Sequence, residues 1–370
     1  MTDLRDISLA VLFVLTTGMT GCNNTPNNDN ITNKNDTEKN ARGNKIATIL
    51  SEIGDQHSNH NSTVTIAQLT TLGLSSIDDR YLNIYQTYIS SADTNISSPA
   101  TTAELQSMID EVNDFNLPTN AILDRSFFKK TNGVFEHRFI YLPVTNSTTG
   151  RTWLNNNLGA EYANMDSSKY NPVQQAKSKI DLYAYGSMLQ WGREADGHEL
   201  MTWTDATHGT GKYGITKTQN DNPTDSLFIA PDFSRFNAKY TWRVHPDNNL
   251  WKGVDAPNNP CPIGYRLATN DQTQPAGANN EWLEEGVTWE SEDYEGAYNS
   301  KLKLTLSGWR DSNNTIQYAG TVYGDYWSGS MASDGKAYQF MDLPSGFHAS
   351  YWNKAHFGVA LGSVVRCIKN

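Results

Sequence analysis

The chain has 370 residues, of which 37% are hydrophobic and 11% aromatic, and it carries 29 basic against 40 acidic side chains. This hydrophobic share predicts folded domains with a real core and argues against a disordered chain. The formal net charge is -11 and no run of basic residues occurs. Such a chain is not expected to bind nucleic acid, because phosphate binding depends on clustered lysine and arginine.

The first 22 residues have the pattern of an export signal. An apolar run from Ile7 to Leu15 is followed by small and polar residues that end in Met19-Thr20-Gly21-Cys22. The run is too short to span a bilayer in the mature protein, so residues 1–22 are predicted to be a signal peptide. The Thr-Gly-Cys ending resembles the lipobox of bacterial lipoproteins, which implies that Cys22 is lipidated and anchors the protein to a membrane. The alternative is an ordinary signal peptide in which Cys22 is incidental.

Asn23 follows the cysteine. Within the resemblance to lipoproteins, a residue other than Asp at this position favours the outer membrane or the cell surface. Residues 23–45 are mostly Asn, Thr, Asp and Lys, and they offer too little apolar surface to offset the entropy lost on ordering. They are therefore predicted to form a disordered tether.

Residues 46–116 are predicted to form a small all-α module. Apolar residues recur at helical spacing from Ile46 to Ile53, and again from Ile77 to Ile89. Thr101 or Thr102 is a suitable cap for a further helix that runs through Val112. The amino-acid sequence of these segments resembles that of a short helical module of bacterial surface proteins.

Residues 117–370 have a different construction, since all ten tryptophans lie between Trp153 and Trp352. The alternation from Val134 to Leu142 predicts a strand, and three helix-like pieces follow at Pro172–Ile180, Leu182–Trp191 and Glu281–Glu285. The remaining apolar runs are short and are broken by Gly, Asn, Asp and Pro. This mixture predicts an irregular α+β domain with long loops.

Cys261 and Cys367 are the only cysteines that remain once the signal segment is removed. In an oxidising compartment each has only the other as an intramolecular partner, so a disulfide between them is predicted. Two free buried thiols, which pack as small hydrophobic groups, are the alternative.

Five motifs in fixed order carry a resemblance to a known family. They are Trp153-Leu154-Asn155-Asn156-Asn157-Leu158-Gly159, Tyr185 to Glu199, Cys261 to Leu267, Tyr326-Trp327-Ser328-Gly329-Ser330 and Val365 to Lys369. The region they span resembles the Fibrobacter succinogenes major paralogous domain. The resemblance implies a C-type-lectin-like fold for residues 117–370 and an exported or surface-attached protein without an established enzymatic activity. It also implies a relationship to adhesin domains that bind glycans.

Sequence motifs for catalysis, cofactors and metals are missing. The chain has no Gly-x-Ser-x-Gly elbow, Walker loop or His-Glu-x-x-His, and no cysteine pair at metal-binding spacing. Asp196-Gly197-His198-Glu199 combines acid, base and ligand types, but a turn with a structurally bonded His198 is the favoured interpretation. No catalytic residue, cofactor or metal is therefore predicted. A hydrolase with two carboxylates across a cleft stays an alternative, with candidates at Glu281, Glu284, Glu285, Glu290 and Glu292.

The aromatic residues suggest a binding surface, because sugar rings stack on partly exposed aromatic rings. The residues predicted to bind a ligand lie in Gly-, Asn- or Asp-rich surroundings and are Trp251, Trp289, Tyr323, Tyr351 and Trp352. Trp153, Trp191, Trp309 and Trp327 lie inside the family motifs and are predicted to be core. The leading hypothesis is a surface binding or adhesion module for a glycan or a surface protein. A polysaccharide- or cell-wall-acting hydrolase and a structural envelope lipoprotein are the alternatives.

Overall fold

The computed structural model describes residues 29–231, 240–270, 280–291, 293–331, 335, 337–342 and 356–370. These residues mix helices and sheets, which confirms the α+β class. The chain divides into two units, residues 1–47 and 48–370. Among the helices of the described ranges, none has the length and apolar character needed to cross a membrane.

The first helix, α1 (Asp29–Ser58), covers residues 29–45 of the segment predicted to be a disordered tether, and residues 23–28 of that segment lie outside the described residues. Residues 36–45 are helical although every one of them is exposed. The apolar residues from Ile46 to Ile53 follow directly in the same helix. Once a helix is nucleated, each added residue gains a backbone hydrogen bond without a further nucleation cost, so polar residues can extend it.

Three further helices follow in the larger unit, namely α2 (Ile66–Thr71), α3 (Leu82–Ser90) and α4 (Thr102–Asp114), with a 3-10 turn at Asp79–Tyr81. Thr65 and Thr101 begin α2 and α4 with capping boxes, each accepting a hydrogen bond from the backbone three residues later. The cap predicted at Thr101 is thus confirmed.

These helices pack against the segment that follows them. The Tyr81 hydroxyl donates to the carbonyl of Leu117 at 3.2 Å, and the Ser91 hydroxyl donates to the carbonyl of Phe128 at 2.9 Å. The rings of Tyr88 and Phe128 lie 4.7 Å apart. The helical segment and the start of the sheet region therefore share one packed interface.

The strands are short and lie far apart along the chain. In chain order they are β1 (Ile122–Leu123), β2 (Lys130–Thr131), β3 (Val134–Phe135), β4 (Ile140–Tyr141), β5 (Pro143–Thr145), β6 (Thr152–Leu154), β7 (Leu189–Gln190), β8 (Met201–Trp203), β9 (Gly209–Gly211), β10 (Ile215–Thr216), β11 (Phe228–Ile229), β12 (Tyr265–Leu267), β13 (Trp309–Arg310), β14 (Ile316–Gln317), β15 (Gly324–Met331), β16 (Ala337–Asp342), β17 (His356–Phe357), β18 (Gly362–Ser363) and β19 (Cys367–Lys369). Helices α5 (Glu281–Gly286) and α6 (Tyr294–Asn299) precede β13, and α5 confirms the helix predicted there.

Two four-stranded sheets organise this region, with strand orders β12-β19-β6-β5 and β14-β13-β18-β7. In the first sheet Leu267 lies opposite Cys367 in an antiparallel register. A disulfide joins Cys261 to Cys367 with their Cα atoms 5.9 Å apart. The predicted bond is thereby confirmed, and it ties the last strand to the turn before β12.

Three consecutive asparagines hold the long loops of this region in place. The side chains of Asn155, Asn156 and Asn157 donate to the carbonyls of Pro172, Gln174 and Tyr185 at 2.7, 2.8 and 2.9 Å. These side chains bind the loops where the sequence predicts helices. The helices predicted at Pro172–Ile180 and Leu182–Trp191 are wrong, apart from a 3-10 turn at Leu182–Ala184.

The strand predicted from Val134 to Leu142 is also corrected, because the chain forms two short strands, β3 and β4, with a break between them. Within the break the Phe139 amide donates to the carbonyl of His137 at 2.7 Å, which tightens the chain locally. The ring of His137 is thereby placed in the interior. Trp153, Trp191, Trp309 and Trp327 are buried as predicted.

Candidate functional site

The turn from Asp196 to Glu199, between β7 and β8, is held tightly from both sides. Gly197 has a φ of +100°, and a Cβ atom there would lie 2.9 Å from Cγ2 of Thr131. The position therefore requires glycine, both for its backbone conformation and for the close approach of β2. The Asp196 carboxylate closes the turn by accepting from the His198 amide at 3.1 Å.

His198 is fully buried and has a single favoured tautomer. Its Nε2 accepts a hydrogen bond from the Gln190 amide at 3.1 Å, so the ring proton is assigned to Nδ1. That Nδ1–H donates to Oδ1 of Asp196 at 2.7 Å. Both ring nitrogens are thus engaged within the protein, which agrees with the structural role predicted for this residue.

Glu199 forms the centre of a buried charge cluster. Its Oε1 lies 2.6 Å from Nε2 of His137, and its Oε2 accepts from the Gly197 amide at 3.1 Å. Although burial alone raises it, the pKa of Glu199 is held well below its usual range by His137 and His198. Burial lowers the pKa of His137, but the Glu199 carboxylate outweighs this and raises it overall. The two side chains therefore form a buried ion pair.

One oxygen or nitrogen from each of Asp196, His198 and Glu199 lies within 4.8 Å of the others, a grouping of the size that holds a metal ion. A metal at this position would have to replace the Nδ1 proton of His198, which is shared with Asp196 and Glu199. The cluster is therefore better suited to holding the turn than to binding a cation.

A polar cleft of about 410 Å³ opens beside this turn. The residues that line it come from the β2–β3 hairpin, the turn, the 221–226 loop and two later loops. They are Lys129, Lys130, Thr131, Asn132, Arg193, Glu194, Asp196, Asp221, Asn222, Pro223, Thr224, Ser226, Trp242 and Asn258. Its volume lies within the range of about 300 to 1,000 Å³ that is typical of small-molecule sites.

Two polar side chains that line the cleft are buried with unpaired atoms. Arg193 is 1% exposed and donates to Asp196, Gln190 and Leu227, yet its Nη2 has no hydrogen-bond partner among the described residues. Within the same described ranges Oγ1 of Thr131 is also unpaired. Buried polar atoms are hydrogen-bonded in the great majority of cases, so these two atoms are unusual, and both are closed to solvent in the wall of the cleft.

The rim of the cleft carries further hydrogen-bonding groups. Asn132 and Asn222 are exposed, as is Thr224, while Asn258 is held by a hydrogen bond to the carbonyl of Gly192 at 2.8 Å. The ring of Trp242 is almost fully buried and donates from Nε1 to the carbonyl of Trp191 at 2.7 Å. Amide and hydroxyl groups around a rigid base are suited to a ligand rich in hydroxyl groups.

The aromatic residues predicted to bind a ligand do not meet in this cleft. Trp251 is 0% exposed and packs 5.5 Å from Trp191, so the expectation that it is exposed is wrong. Trp289 is 9% exposed and belongs to a different hydrophobic cluster. Tyr323 is half-buried against Trp309, with 5.5 Å between the rings. Tyr351 and Trp352 lie outside the described residues, as does the predicted lipidation site Cys22.

The glutamates considered for a hydrolase are largely engaged in internal contacts. Glu281 pairs with Arg151 and Arg266, at 2.7 Å in both cases. Glu284 also pairs with Arg151, and Glu285 accepts from Nδ2 of Asn146 at 2.6 Å. Glu292 lies outside the described residues. These contacts favour a role for α5 in packing against the β5–β6 turn.

Sequence reasoning missed Thr131 and Arg193, although part of the signal was present. Asn132-Gly133 is the strongest two-residue hairpin signal, and the structure has φ values of 52° and 82° at these positions. The spacing of Arg193 and Asp196 also indicates an ion pair, which is observed at 2.8 Å. That the hairpin approaches the turn follows from no local pattern.

No protein-family model, curated protein or solved structure matches the chain.

Proposed function

We propose that this chain is an exported, lipid-anchored surface protein that binds a glycan in the polar cleft. The observation that carries the proposal is a cleft of about 410 Å³ whose rim presents the exposed side chains of Asn132, Asn222 and Thr224. A sugar hydroxyl can donate to and accept from amide and hydroxyl groups such as these. The amide of an asparagine offers one acceptor and two donors, so Asn132 and Asn222 supply directional contacts.

The chemistry of the cleft favours a glycan over a protein partner. Peptides usually bind along an exposed strand edge or in an apolar groove. This cleft is lined mainly by Asn, Thr, Ser, Lys and Asp, and its large aromatic residue, Trp242, is almost fully buried. A ligand that brings many hydroxyl groups suits such a lining better than an apolar side chain does.

A glycan array probed with the full chain tests this proposal, and the variant Asn222→Ala supplies the site control. Asn222 is exposed at the rim, so its removal should weaken binding to any array hit and leave thermal stability unchanged. Asn313→Ala, an equally exposed asparagine in the β13–β14 turn, is the matched control. A sound array without any hit would contradict glycan binding and favour a structural envelope protein, whereas released reducing ends would favour a hydrolase.

The fold proposal is that residues 117–370 form a C-type-lectin-like domain of the Fibrobacter major paralogous type. Its support is that the ordered motifs meet in one core. The Leu158 amide donates to the carbonyl of Val365 at 3.0 Å, and Nε1 of Trp191 donates to the carbonyl of Ser328 at 2.8 Å. An experimental structure of a family member should have the strand order β12-β19-β6-β5, and a different order would contradict the assignment.

The anchor is proposed at Cys22, on the strength of the lipobox-like ending of the first segment. Cys22→Ser should leave the precursor unprocessed and abolish labelling by a palmitate analogue in the host bacterium. Cys367→Ser, which removes a disulfide cysteine, is the matched control and should keep the label. Equal labelling of Cys22→Ser and the unchanged chain would refute the anchor.

A further inference from the structure

Tyr318 has a backbone conformation that tyrosine rarely adopts. It directly follows β14 and has a φ of 61°, in the left-handed region that bulky side chains avoid. The other non-glycine residues with positive φ in the described ranges are Asn, Ser, His or Lys. Strained residues persist where the surrounding structure fixes them, and they concentrate at active sites and at sites that hold a ligand.

The neighbouring backbone imposes this conformation on Tyr318. The Gly320 amide donates to the carbonyl of Leu306 at 2.7 Å, and a Cβ atom at Gly308 would clash with the carbonyl oxygen of Gln317. The chain is therefore fixed on both sides of Tyr318. Glycine adopts the same φ without strain. The turn by itself does not need a tyrosine, so the presence of one indicates a use for its ring.

The ring of Tyr318 is held by two other aromatic rings and still faces solvent. Its centre lies 5.0 Å from that of Trp309, at an interplanar angle of 38°, and 5.2 Å from that of Tyr323, at 85°. Trp309 is buried, whereas Tyr318 is 48% exposed, more than any other Phe, Tyr or Trp of the described ranges. A ring whose orientation is already fixed loses little entropy when a ligand stacks on it.

Exposed hydroxyl groups lie beside the turn that carries this ring. The Thr321 hydroxyl donates to the carbonyl of Tyr318 at 2.8 Å, and a Cβ atom at Gly320 would lie 3.2 Å from the methyl group of Thr207. The Thr207 hydroxyl donates to Oδ1 of Asp205 at 2.7 Å. Both threonines are exposed, and each hydroxyl oxygen can still accept a hydrogen bond.

From the strained and exposed ring we infer that Tyr318 is a stacking platform for a sugar ring. This inference rests on the proposed glycan binding and adds a second contact, since Tyr318 is not among the residues that line the polar cleft. A sugar ring with mostly equatorial hydroxyls presents C–H groups on its faces, which pack on an aromatic ring. The acceptors at Thr207 and Thr321 favour such a ligand over a purely apolar one.

Neutral hexasaccharides test the inference with the full chain. The probes are cellohexaose, mannohexaose, xylohexaose and laminarihexaose, and at least one should bind. Tyr318→Asn removes the ring but keeps a residue that tolerates positive φ. Its affinity for the bound probe should fall about three- to tenfold, the range expected for one aromatic contact. Tyr318→Phe keeps the ring and should bind like the unchanged chain.

Tyr170→Asn, at a half-buried tyrosine without positive φ, is the matched control and should leave the affinity unchanged. Thermal unfolding shows whether each variant is folded. Saturation-transfer NMR on the unchanged chain needs no variant. Irradiation of the aromatic protons should transfer magnetisation to the C–H protons of the bound sugar, and its absence would overturn the platform.

The platform and the cleft fail separately. If Asn222→Ala weakens binding and a folded Tyr318→Asn protein does not, the platform is overturned and the cleft stands. If Tyr318→Asn weakens binding and Asn222→Ala does not, the platform stands and the cleft proposal falls. Failure of all four hexasaccharides while other glycans bind the array also overturns the platform. If no glycan binds at all, both proposals fall.

Discussion

The buried cluster around Glu199 and the polar cleft beside it share Asp196. They differ in how far their polar atoms are hydrogen-bonded within the protein. In the cluster, both nitrogens of His198 and both oxygens of Glu199 contact other protein groups. In the wall of the cleft, one atom each of Arg193 and Thr131 has no partner among the residues that the structure describes. The acid and base groups around Glu199 are thus engaged in internal contacts, whereas the cleft presents exposed amide and hydroxyl groups at its rim.

One atom of the cluster departs from this contrast. Nδ1 of His137 is buried and, within the described ranges, has no partner. The ring is held on its other side by Glu199 and belongs to a residue 2% exposed, so it does not open onto the cleft. Burying this nitrogen without a hydrogen bond lowers the stability of the folded protein, and the ion pair between His137 and Glu199 offsets that loss.

The largest effect is expected from breaking that ion pair. His137→Ala leaves the Glu199 carboxylate buried without its main counter-charge, which should lower the free energy of unfolding by about 3 to 5 kcal/mol. His208→Ala removes a histidine from the exposed contact with Asp205 and should change stability little. Urea unfolding of both variants measures the difference, and two equally stable variants would show that the cluster does not hold the turn.

A similar loss is expected at Trp251, which was predicted to bind a ligand. Because the ring is fully buried against Trp191, Trp251→Ala should destabilise the protein by about 3 to 5 kcal/mol. Tyr318→Ala, at a side chain 48% exposed, is the control and should cost less. If the Trp251→Ala protein is as stable as the unchanged protein but no longer binds glycan, Trp251 belongs to the ligand site after all.

The case of Trp251 shows which features the sequence predicts and which it does not. Sequence signals predicted correctly those features that depend on neighbouring residues, such as the helix cap at Thr101 and the helix α5. Exposure of Trp251 was inferred from its polar neighbours, but its burial depends on Trp191, which is 60 positions earlier in the chain. Burial set by such distant contacts leaves no mark in the flanking residues.

The same reasoning applies to the loops and to the cleft. Pro172–Ile180 has a helix-like composition, yet side chains from Asn155 and Asn156 bind its carbonyls. The cleft likewise forms only when the hairpin at Thr131 meets the turn at Gly197. Composition and the short apolar runs predicted the α+β class, whereas the position of the candidate site required the three-dimensional structure.

The buried carboxyl group of Asp124, near the cluster, should make the free energy of unfolding depend on pH. Burial raises the pKa of Asp124 to about 6, against a partial opposing effect of His137. Between about pH 4 and pH 6 the unfolded chain has lost this proton and the folded chain keeps it, so the free energy of unfolding falls as pH rises. For a shift of about two pKa units the decrease is about 3 kcal/mol, and it persists above pH 6.

Asp124→Asn should remove this decrease, because the amide retains an acceptor for the Ser126 amide and carries no charge. The measurement is urea unfolding of the variant and the unchanged protein from pH 4 to pH 7. The difference between their unfolding free energies should change by about 3 kcal/mol over that range. Asp255→Asn, at an exposed position, is the control, and parallel curves for all three proteins would rule out the effect.

The smallest effect on stability, and the sharpest test of the contrast, is expected at Thr131. Its methyl group packs against Gly197, and its hydroxyl has no partner among the described residues. Thr131→Val keeps the shape and removes an unsatisfied buried hydroxyl, so the free protein should be unchanged or up to about 1 kcal/mol more stable. If that hydroxyl bonds to the glycan, affinity should fall by about 0.5 to 1.5 kcal/mol at the same time.

Thr202→Val, at an exposed threonine of β8 outside the cleft, should leave affinity unchanged. Thermal unfolding and titration with the best array hit provide the two measurements for both variants. Stability and affinity that move in opposite directions at Thr131 identify a group kept for a ligand, because a group kept for the fold would lower stability when removed. Loss of stability with unchanged affinity would place Thr131 with the buried cluster instead.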